Sequence, residues 1–277
     1  MLKEKEFTLS DRNFGFIRDL VGERTGIVLS DLKRDMTYGR LVRRLRELKL
    51  SSFDEYCALL KSGDEDELIN LTNAITTNLT SFFREPHHFE FLSQELLPKL
   101  LASKADRRLR IWSAGCSSGE EPYTIAMTIL ESVPQIRNWD IRILATDLDY
   151  NMVSRAASGI YTEERVNGID ARRQKRWFRR GRGENAGMVR VSPELQNLIT
   201  FKQLNLLHEW PMKGPFDIIF CRNVVIYFNK ETQRELFSRY ADIMTPDGHL
   251  FIGHSESLYK VSDRFELLGR TIYRRRS

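Results

Sequence analysis

LRIWSAGCSSGEEPYT, residues 109–124, is the stretch whose reading decides the fold. An apolar run ends abruptly in a glycine- and serine-rich turn, and an acidic pair, a proline and an amphipathic helical pattern follow. A parallel strand hands a ligand to a helix N-terminus in this way. A second apolar run, IRILATD, ends in Asp147 at the spacing that a βαβ unit requires. Further on, LITFKQLNL, FDIIFCRN and HLFIGH alternate with helical patterns. The rhythm predicts an α/β domain with a parallel sheet from about residue 107 onward. FELLG and TIYRRR, separated by a Gly-Arg turn, are candidates for an antiparallel edge.

Upstream of the sheet, residues 7–100 read as helical throughout. Leu9-Ser10-Asp11 offers an N-cap, and the first helix is expected to stop near Gly26, where glycine can take a positive φ. A second helix is predicted over 33–49, with Tyr38, Leu41, Leu45 and Leu48 recurring at helical spacing toward a core. Arg40, Arg43, Arg44 and Arg46 lie in this window, which holds seven basic residues against two acidic ones. A solvated face is one reading; the excess of one sign favours a docking surface for an acidic partner. Helices over about 53–61 and 64–79 complete a small bundle, and Pro86 opens another, PHHFEFLSQELLPKLL. His87 and His88 are adjacent, so their side chains are expected to diverge and not to act as ligands.

The domain boundaries follow: a helical domain over 1–80, a linker and lid helix over 81–106, and the sheet domain over 107–277. Asp147 and Asn205 lie 58 positions apart, far more than one crossover helix needs. The excess contains GRGENAG and the alternating MVRVS, so a small β insertion is expected near 160–200.

The bulk composition, 41% hydrophobic and 29% charged, is that of a globular protein. MLKEKEFTLS lacks a signal-peptide core, and no run is long and apolar enough to span a bilayer, so a cytoplasmic protein without direct membrane insertion is expected. Cys57, Cys116 and Cys221 are too scattered for a disulfide framework or a zinc pattern, and no metal is expected. The net charge of +5 favours an acidic partner without naming one.

Ligands of an open α/β sheet lie beyond the carboxyl ends of the strands. Gly115 and Gly119 permit a tight turn there, but the spacing is not G-x-G-x-x-G, which argues against a dinucleotide. Glu120 and Glu121 either complement a helix dipole or face a cation; they would repel a pyrophosphate. Asp147 is either an N-cap or the acid that takes two ribose hydroxyls. Asn205, Arg222 and Asn223 share the same placement past a strand. Together these residues point to an adenosine-containing cofactor that carries an ammonium and a sulfonium instead of phosphates. Asn78, Thr80 and Arg84, interleaved with Leu79, Phe82 and Phe83, read as a capped junction or as a cleft lid. Tyr227 and Phe228 read as core aromatics on periodicity alone.

The motifs KRDMTYGRLVRRLR, TTNLTSFFREPHHF, WSAGCSSGEEPYTIAM, ATDLD, LNLL, FDIIFCRNVVIYF and GHSESL together resemble the chemotaxis receptor methyltransferase family, CheR. The likeness runs from near residue 9 to the C-terminus. It implies a Rossmann-like class I methyltransferase sheet with an N-terminal all-helical domain and a small inserted β-subdomain. It implies S-adenosyl-L-methionine as cofactor, S-adenosyl-L-homocysteine as product, and receptor glutamates as methyl acceptors in sensory adaptation. Carried over by motif, Asn78, Thr80, Arg84, Glu121, Asp147, Asn205, Leu206, Arg222 and Asn223 contact the cofactor. Arg84 and Tyr227 lie beside the transferred methyl. The basic second helix, with Arg40, Arg43, Arg44 and Arg46, meets the cytoplasmic helical bundle of transmembrane chemoreceptors. The loop of Gly181, Gly183 and Gly187 holds a receptor's C-terminal pentapeptide as an added strand. A monomer recruited to membrane receptor arrays is expected, without nucleic acid and without a tetratricopeptide extension. Two rivals remain open: a nucleic-acid methyltransferase, and a non-catalytic adaptor that binds the cofactor. Against the first, RNVVIYF lacks the Asn- or Asp-Pro-Pro-aromatic motif of amino-group methylation.

Overall fold

The computed structural model describes residues 6–132 and 138–276; the first half of MLKEKEFTLS lies outside the described residues. The chain divides into two units, Met1–Thr77 with Tyr227–Thr232, and Asn78–Ile226 with Gln233–Ser277. The return of Tyr227–Thr232 to the first unit is not visible in the sequence. It follows from Tyr227, whose carbonyl accepts the Val28 N–H at 2.9 Å and whose ring packs on that unit's core.

The first unit is helical: α1 Asp11–Thr25, α2 Arg34–Leu48, α3 Phe53–Lys61 and α4 Glu65–Ile75. Ser10, Ser52 and Asp64 cap α1, α3 and α4 by accepting the N–H three residues on. Gly26, at φ 71°, ends α1. Leu41 and Leu45 are fully buried among Phe14, Ile17, Phe53 and Leu71, with Tyr38 and Leu48 partly buried beside them.

Three of the four arginines marked for docking are engaged within this unit, Arg46 by an exposed ion pair with Glu6. Arg40 donates to the end of α4, at Ile75 O (2.5 Å), Thr76 O (2.8 Å) and Thr77 Oγ1 (3.0 Å). Arg44 grips the buried Glu67 carboxylate at 2.5 Å, which also accepts the Tyr56 hydroxyl at 2.8 Å. Arg43 is exposed, and Arg46 is exposed beside Glu6.

Residues 76–85 are not helical, which corrects the reading of 7–100 as helical throughout and of a helix over about 64–79, since that helix ends at Ile75. The run of Thr, Asn and Ser favours local side-chain bonds, as when Thr76 Oγ1 donates to Asn73 O, and the backbone turns extended at Thr76. Helix then forms as α5 Pro86–Phe91, a π-helical turn Leu92–Leu96, and α6 Leu97–Ser103. The sheet domain continues as β1 Arg108–Ala114, α7 Glu120–Ser132, β2 Asp140–Asp147 and α8 Tyr150–Ser158. The insertion follows: β3 Ile160–Thr162, α9 Glu163–Val166, α10 Ala171–Trp177, β4 Phe178–Arg180, β5 Met188–Val191 and α11 Pro193–Gln196. It forms an antiparallel sheet in the order β3-β5-β4. The chain then returns through β6 Ile199–Gln203, β7 Phe216–Cys221, α12 Lys230–Asp242, β8 Met244–Ile252, β9 Phe265–Gly269 and β10 Ile272–Arg275.

The main sheet has the order β6-β2-β1-β7-β8-β10-β9. Strands β6, β2, β1, β7 and β8 are parallel, and β10 runs antiparallel to β8 and β9. This is a Rossmann-like sheet. Strand β7 is buried at every position, as a central parallel strand requires. Phe89, Phe220 and Phe251 stack in the core, with centroids 6.0 and 4.3 Å apart. Strand order reverses between β1 and β7, so a crevice opens at their carboxyl ends. Among the described residues no helix is long and apolar enough to cross a membrane.

Candidate active site

The turn after β1 carries three left-handed residues: Gly115 (φ 103°), Ser117 (φ 47°) and Gly119 (φ 98°). A Cβ on Gly115 would lie 2.4 Å from Val224 Cγ2, so the turn presses directly on the segment after β7. Gly115 and Cys116 donate their N–H groups to Thr146 O, at 2.8 Å each.

Asp147, at the end of β2, accepts the Ser117 N–H on Oδ2 (2.7 Å) and the Asp149 N–H on Oδ1 (3.0 Å). The capping of α8 falls to Asp149, which accepts from Asn151 N and Met152 N. Asp147 is thereby spared that task. An ionised carboxylate has about four acceptor positions, so each Asp147 oxygen keeps capacity for one hydroxyl. Burial pushes its pKa up to about 6, with the charge of Asp149 adding to the shift. Asn78 Nδ2 donates to Asp149 Oδ2 at 3.0 Å, and Ser117 Oγ donates to Asn78 O at 3.1 Å. Asn78 is thus fastened to the glycine turn and to the end of β2. Leu204 N–H donates to Asp147 O at 2.9 Å, which brings Asn205 and Leu206 to the same end of the sheet. Asn205 Oδ1 closes a turn by accepting the Leu207 N–H, and Leu206 is buried.

At the end of β7 the Arg222 guanidinium is 3% exposed. It meets Glu121 Oε2 at 2.9 Å and Glu85 Oε2 at 3.1 Å, and it also donates to Arg84 O. Ser113 Oγ donates to the other oxygen of Glu121 at 2.8 Å. Arg222 and Glu121 are therefore each other's partners within a buried triad. With all three groups ionised, the triad carries a net single negative charge. Glu120, in contrast, is fully buried against Arg165 at 2.5 Å. Arg84 donates to Leu79 O (2.9 Å) and to Asn223 Oδ1 (3.0 Å). Thr80 is half-buried on the same segment.

Sequence reasoning missed Glu85, the hub of this cluster. It sits at φ 58°, joins Arg222, and accepts from Asn223 Nδ2 (3.4 Å) and His254 Nδ1 (2.6 Å). Burial opposes its charge, but the His254 hydrogen bond and the Arg222 guanidinium outweigh burial and hold its pKa at about 2. His87 and His88 do not diverge as expected: both Nε2 atoms lie 3.2 Å from Arg270 O, with the rings 4.2 Å apart. The helix runs so that one carbonyl at the β9–β10 turn can take both donors. No metal cluster occurs among the described residues.

Tyr227 belongs to the helical unit, where Lys33 Nζ lies 5.0 Å from its ring centroid. Its core packing agrees with the periodicity reading.

The sheet-domain residues fit an S-adenosyl donor. Asp147 can take ribose hydroxyls, and Gly115 leaves the turn without a Cβ. Comparison with known proteins agrees. The model of the CheR methyltransferase SAM-binding domain matches residues 78–274, and that of the CheR all-alpha domain matches 12–76. The chain is 44% identical to a chemotaxis protein methyltransferase of Escherichia coli (strain K12), over 97% of this chain and 92% of the relative. It is 42% identical to chemotaxis protein methyltransferase 2 of Pseudomonas aeruginosa, over 97% of this chain and 95% of the relative. The chain belongs to the CheR methyltransferase family and is an S-adenosylmethionine-dependent methyltransferase.

Proposed function

We propose that the chain methylates glutamate side chains of chemoreceptors to methyl esters, releasing S-adenosyl-L-homocysteine, in sensory adaptation. One observation carries this reading on the geometric side. The Arg84 guanidinium is fixed by Leu79 O and Asn223 Oδ1 within the cluster that gathers Arg222, Glu121 and Glu85. A guanidinium held there orients an anionic acceptor. The names of the relatives, chemotaxis protein methyltransferases, support the receptor as substrate.

A glutamate has an ordinary pKa of about 4.3, so the acceptor is ionised at neutral pH and needs no general base. The donor supplies an electrophilic methyl on a positively charged sulfur. The carboxylate oxygen forms the new C–O bond in line as the C–S bond breaks, and that electron pair stays on sulfur. A cation and an anion thereby become two neutral products. The residues must align the reactants and exclude water, with no growing charge to stabilise. Too tight an Arg84–carboxylate pair would stabilise the ground state, so Arg84 orients more than it activates. Tyr227 is assigned the methyl's surroundings on the family motif alone.

Asn78, Thr80, Glu121, Asp147, Asn205, Leu206, Arg222 and Asn223 are proposed to form the donor site; Glu121 and Arg222 do so partly by holding one another. Receptor docking is proposed for the basic helix, chiefly through the exposed Arg43 and Arg46. The β-subdomain is proposed to take the receptor's terminal pentapeptide as a fourth strand, beside the loop of Gly181, Gly183 and Gly187. The protein acts as a monomer recruited to receptor arrays.

The test is transfer of labelled methyl to receptor-containing membranes, to tail-truncated receptors and to RNA. Base-labile label on receptor is expected. Base-stable label on RNA would replace this reading with a nucleic-acid methyltransferase, and no transfer to any acceptor with an adaptor. Arg84→Ala should lower turnover about a hundredfold while donor binding survives; unchanged turnover would remove Arg84 from the reaction.

A further inference from the structure

We propose that Glu256 is a positioning residue, which acts on the donor through the loop that carries Asn223. The inference rests on the assignment of Asn223 to the donor site. Glu256 follows β8, and its side chain is 5% exposed. Its carboxylate accepts four backbone N–H groups. Oε2 takes Asn223 N (2.9 Å) and Gly253 N (2.5 Å), and Oε1 takes Val225 N (2.9 Å) and Ile226 N (3.3 Å). Three of these donors belong to the segment that leaves β7, and the fourth belongs to the turn after β8. One side chain therefore ties the exits of two neighbouring strands together.

Asn223 sits at φ 59°, a left-handed conformation that asparagine tolerates better than most non-glycine residues, and its N–H there is the one that Glu256 takes. Its side chain then meets two site residues, with Arg84 Nη2 donating to Oδ1 (3.0 Å) and Nδ2 donating to Glu85 Oε1 (3.4 Å). The opposite side of the clamp is just as close: a Cβ on Gly253 would lie 2.8 Å from Asn223 N. Gln233 Nε2 fixes the other flank by donating to Val225 O at 2.9 Å. Only a group with two acceptor oxygens satisfies all four donors. A glutamine keeps the shape but has one oxygen, so an NH2 would face two of the N–H groups.

Calorimetry with S-adenosyl-L-homocysteine and steady-state methyl transfer test the idea, with circular dichroism as the control for folding. Glu256→Gln is expected to raise Kd for the product, and to lower kcat, by about tenfold or more each, while KM for the receptor stays within about twofold. A folded Glu256→Gln with Kd and kcat like the unsubstituted protein overturns the proposal. If Glu256→Gln does not fold, Gly253→Ala carries the test. It leaves the carboxylate intact and pushes the same loop from the other side, so it should give the same losses; unaltered constants there also overturn the proposal. Asn223→Ala separates the two layers of the argument. If it binds the product normally, the donor-site assignment fails. If it binds weakly while Glu256→Gln binds normally, only the positioning role of Glu256 fails.

Discussion

With Asp147 as the proposed acceptor of the donor's ribose hydroxyls, donor affinity should depend on pH. Its pKa of about 6 lies well above the ordinary carboxylate value, because the group is buried with Asp149 close by. The ribose hydroxyls need the ionised form as acceptor. A group with this pKa is roughly 90% ionised at pH 7 and roughly 10% at pH 5. Product affinity should therefore fall about tenfold over that interval and level off above pH 7. Fold stability runs the other way. The folded, donor-free protein holds this proton more tightly than the unfolded chain, so Asp147 favours folding as pH falls through 6 and disfavours it as the group ionises. Asp147→Asn removes the titration and weakens two charge-assisted bonds, worth together about 3 kcal/mol, or about a hundredfold in affinity. Glu85, at about 2, stays ionised throughout, whereas burial raises Glu256 above the ordinary carboxylate value. The assay is therefore calorimetry with S-adenosyl-L-homocysteine from pH 5 to 8 on both proteins, and the Asp147 effect is the difference between the two curves. Parallel curves would refute the reasoning.

Three further outcomes are expected. Arg222→Met leaves Glu85 and Glu121 buried without their cation, which should cost about 3–5 kcal/mol and lower the thermal midpoint by roughly 10 °C. The triple variant with Glu85→Gln and Glu121→Gln should recover stability but not donor binding, and a single variant that melts within about 2 °C of the starting protein contradicts the triad. Arg43→Glu should reduce receptor methylation, most at low salt, with stability changed by less than about 0.5 kcal/mol. Arg44→Glu should instead unfold the helical unit, by facing the buried Glu67 with a second anion; equal stability of the two variants refutes this division of labour. Gly181→Ala places a Cβ 2.1 Å from Asn185 O and must shift the turn between β4 and β5. Fluorescence anisotropy should show lost binding of a labelled receptor-tail pentapeptide, with methylation of tail-less receptor unchanged; retained tail binding counts against that loop.

The parallel sheet was legible because apolar strands, turn residues and amphipathic helices are local patterns. The same logic located Asp147, Asn205, Arg222 and Asn223, which all follow an apolar run. Glu256 follows one too, in GHSESL, and the rule that singled out Arg222 would have found it if applied to HLFIGH. Glu85 had no such signal: an acid before Pro86 looks like a helix start, and its partners are Arg222, Asn223 and His254, more than 130 positions away. The non-helical run 76–85 was missed because the helical patterns on either side extended naturally across it, while Thr76 and its neighbours favour local bonds.

The sequence by itself determined which segments become strands and helices, and which polar residues stand at strand exits, since both depend on neighbours in the chain. It also held the motifs that identify the family. Only the tertiary structure decided what those polar groups do. Charge counting made Arg40, Arg43, Arg44 and Arg46 alike, yet Arg40 closes the end of α4 and Arg44 neutralises Glu67. Whether a charge meets solvent or a buried partner depends on residues far along the chain, and folding alone brings them within hydrogen-bond reach.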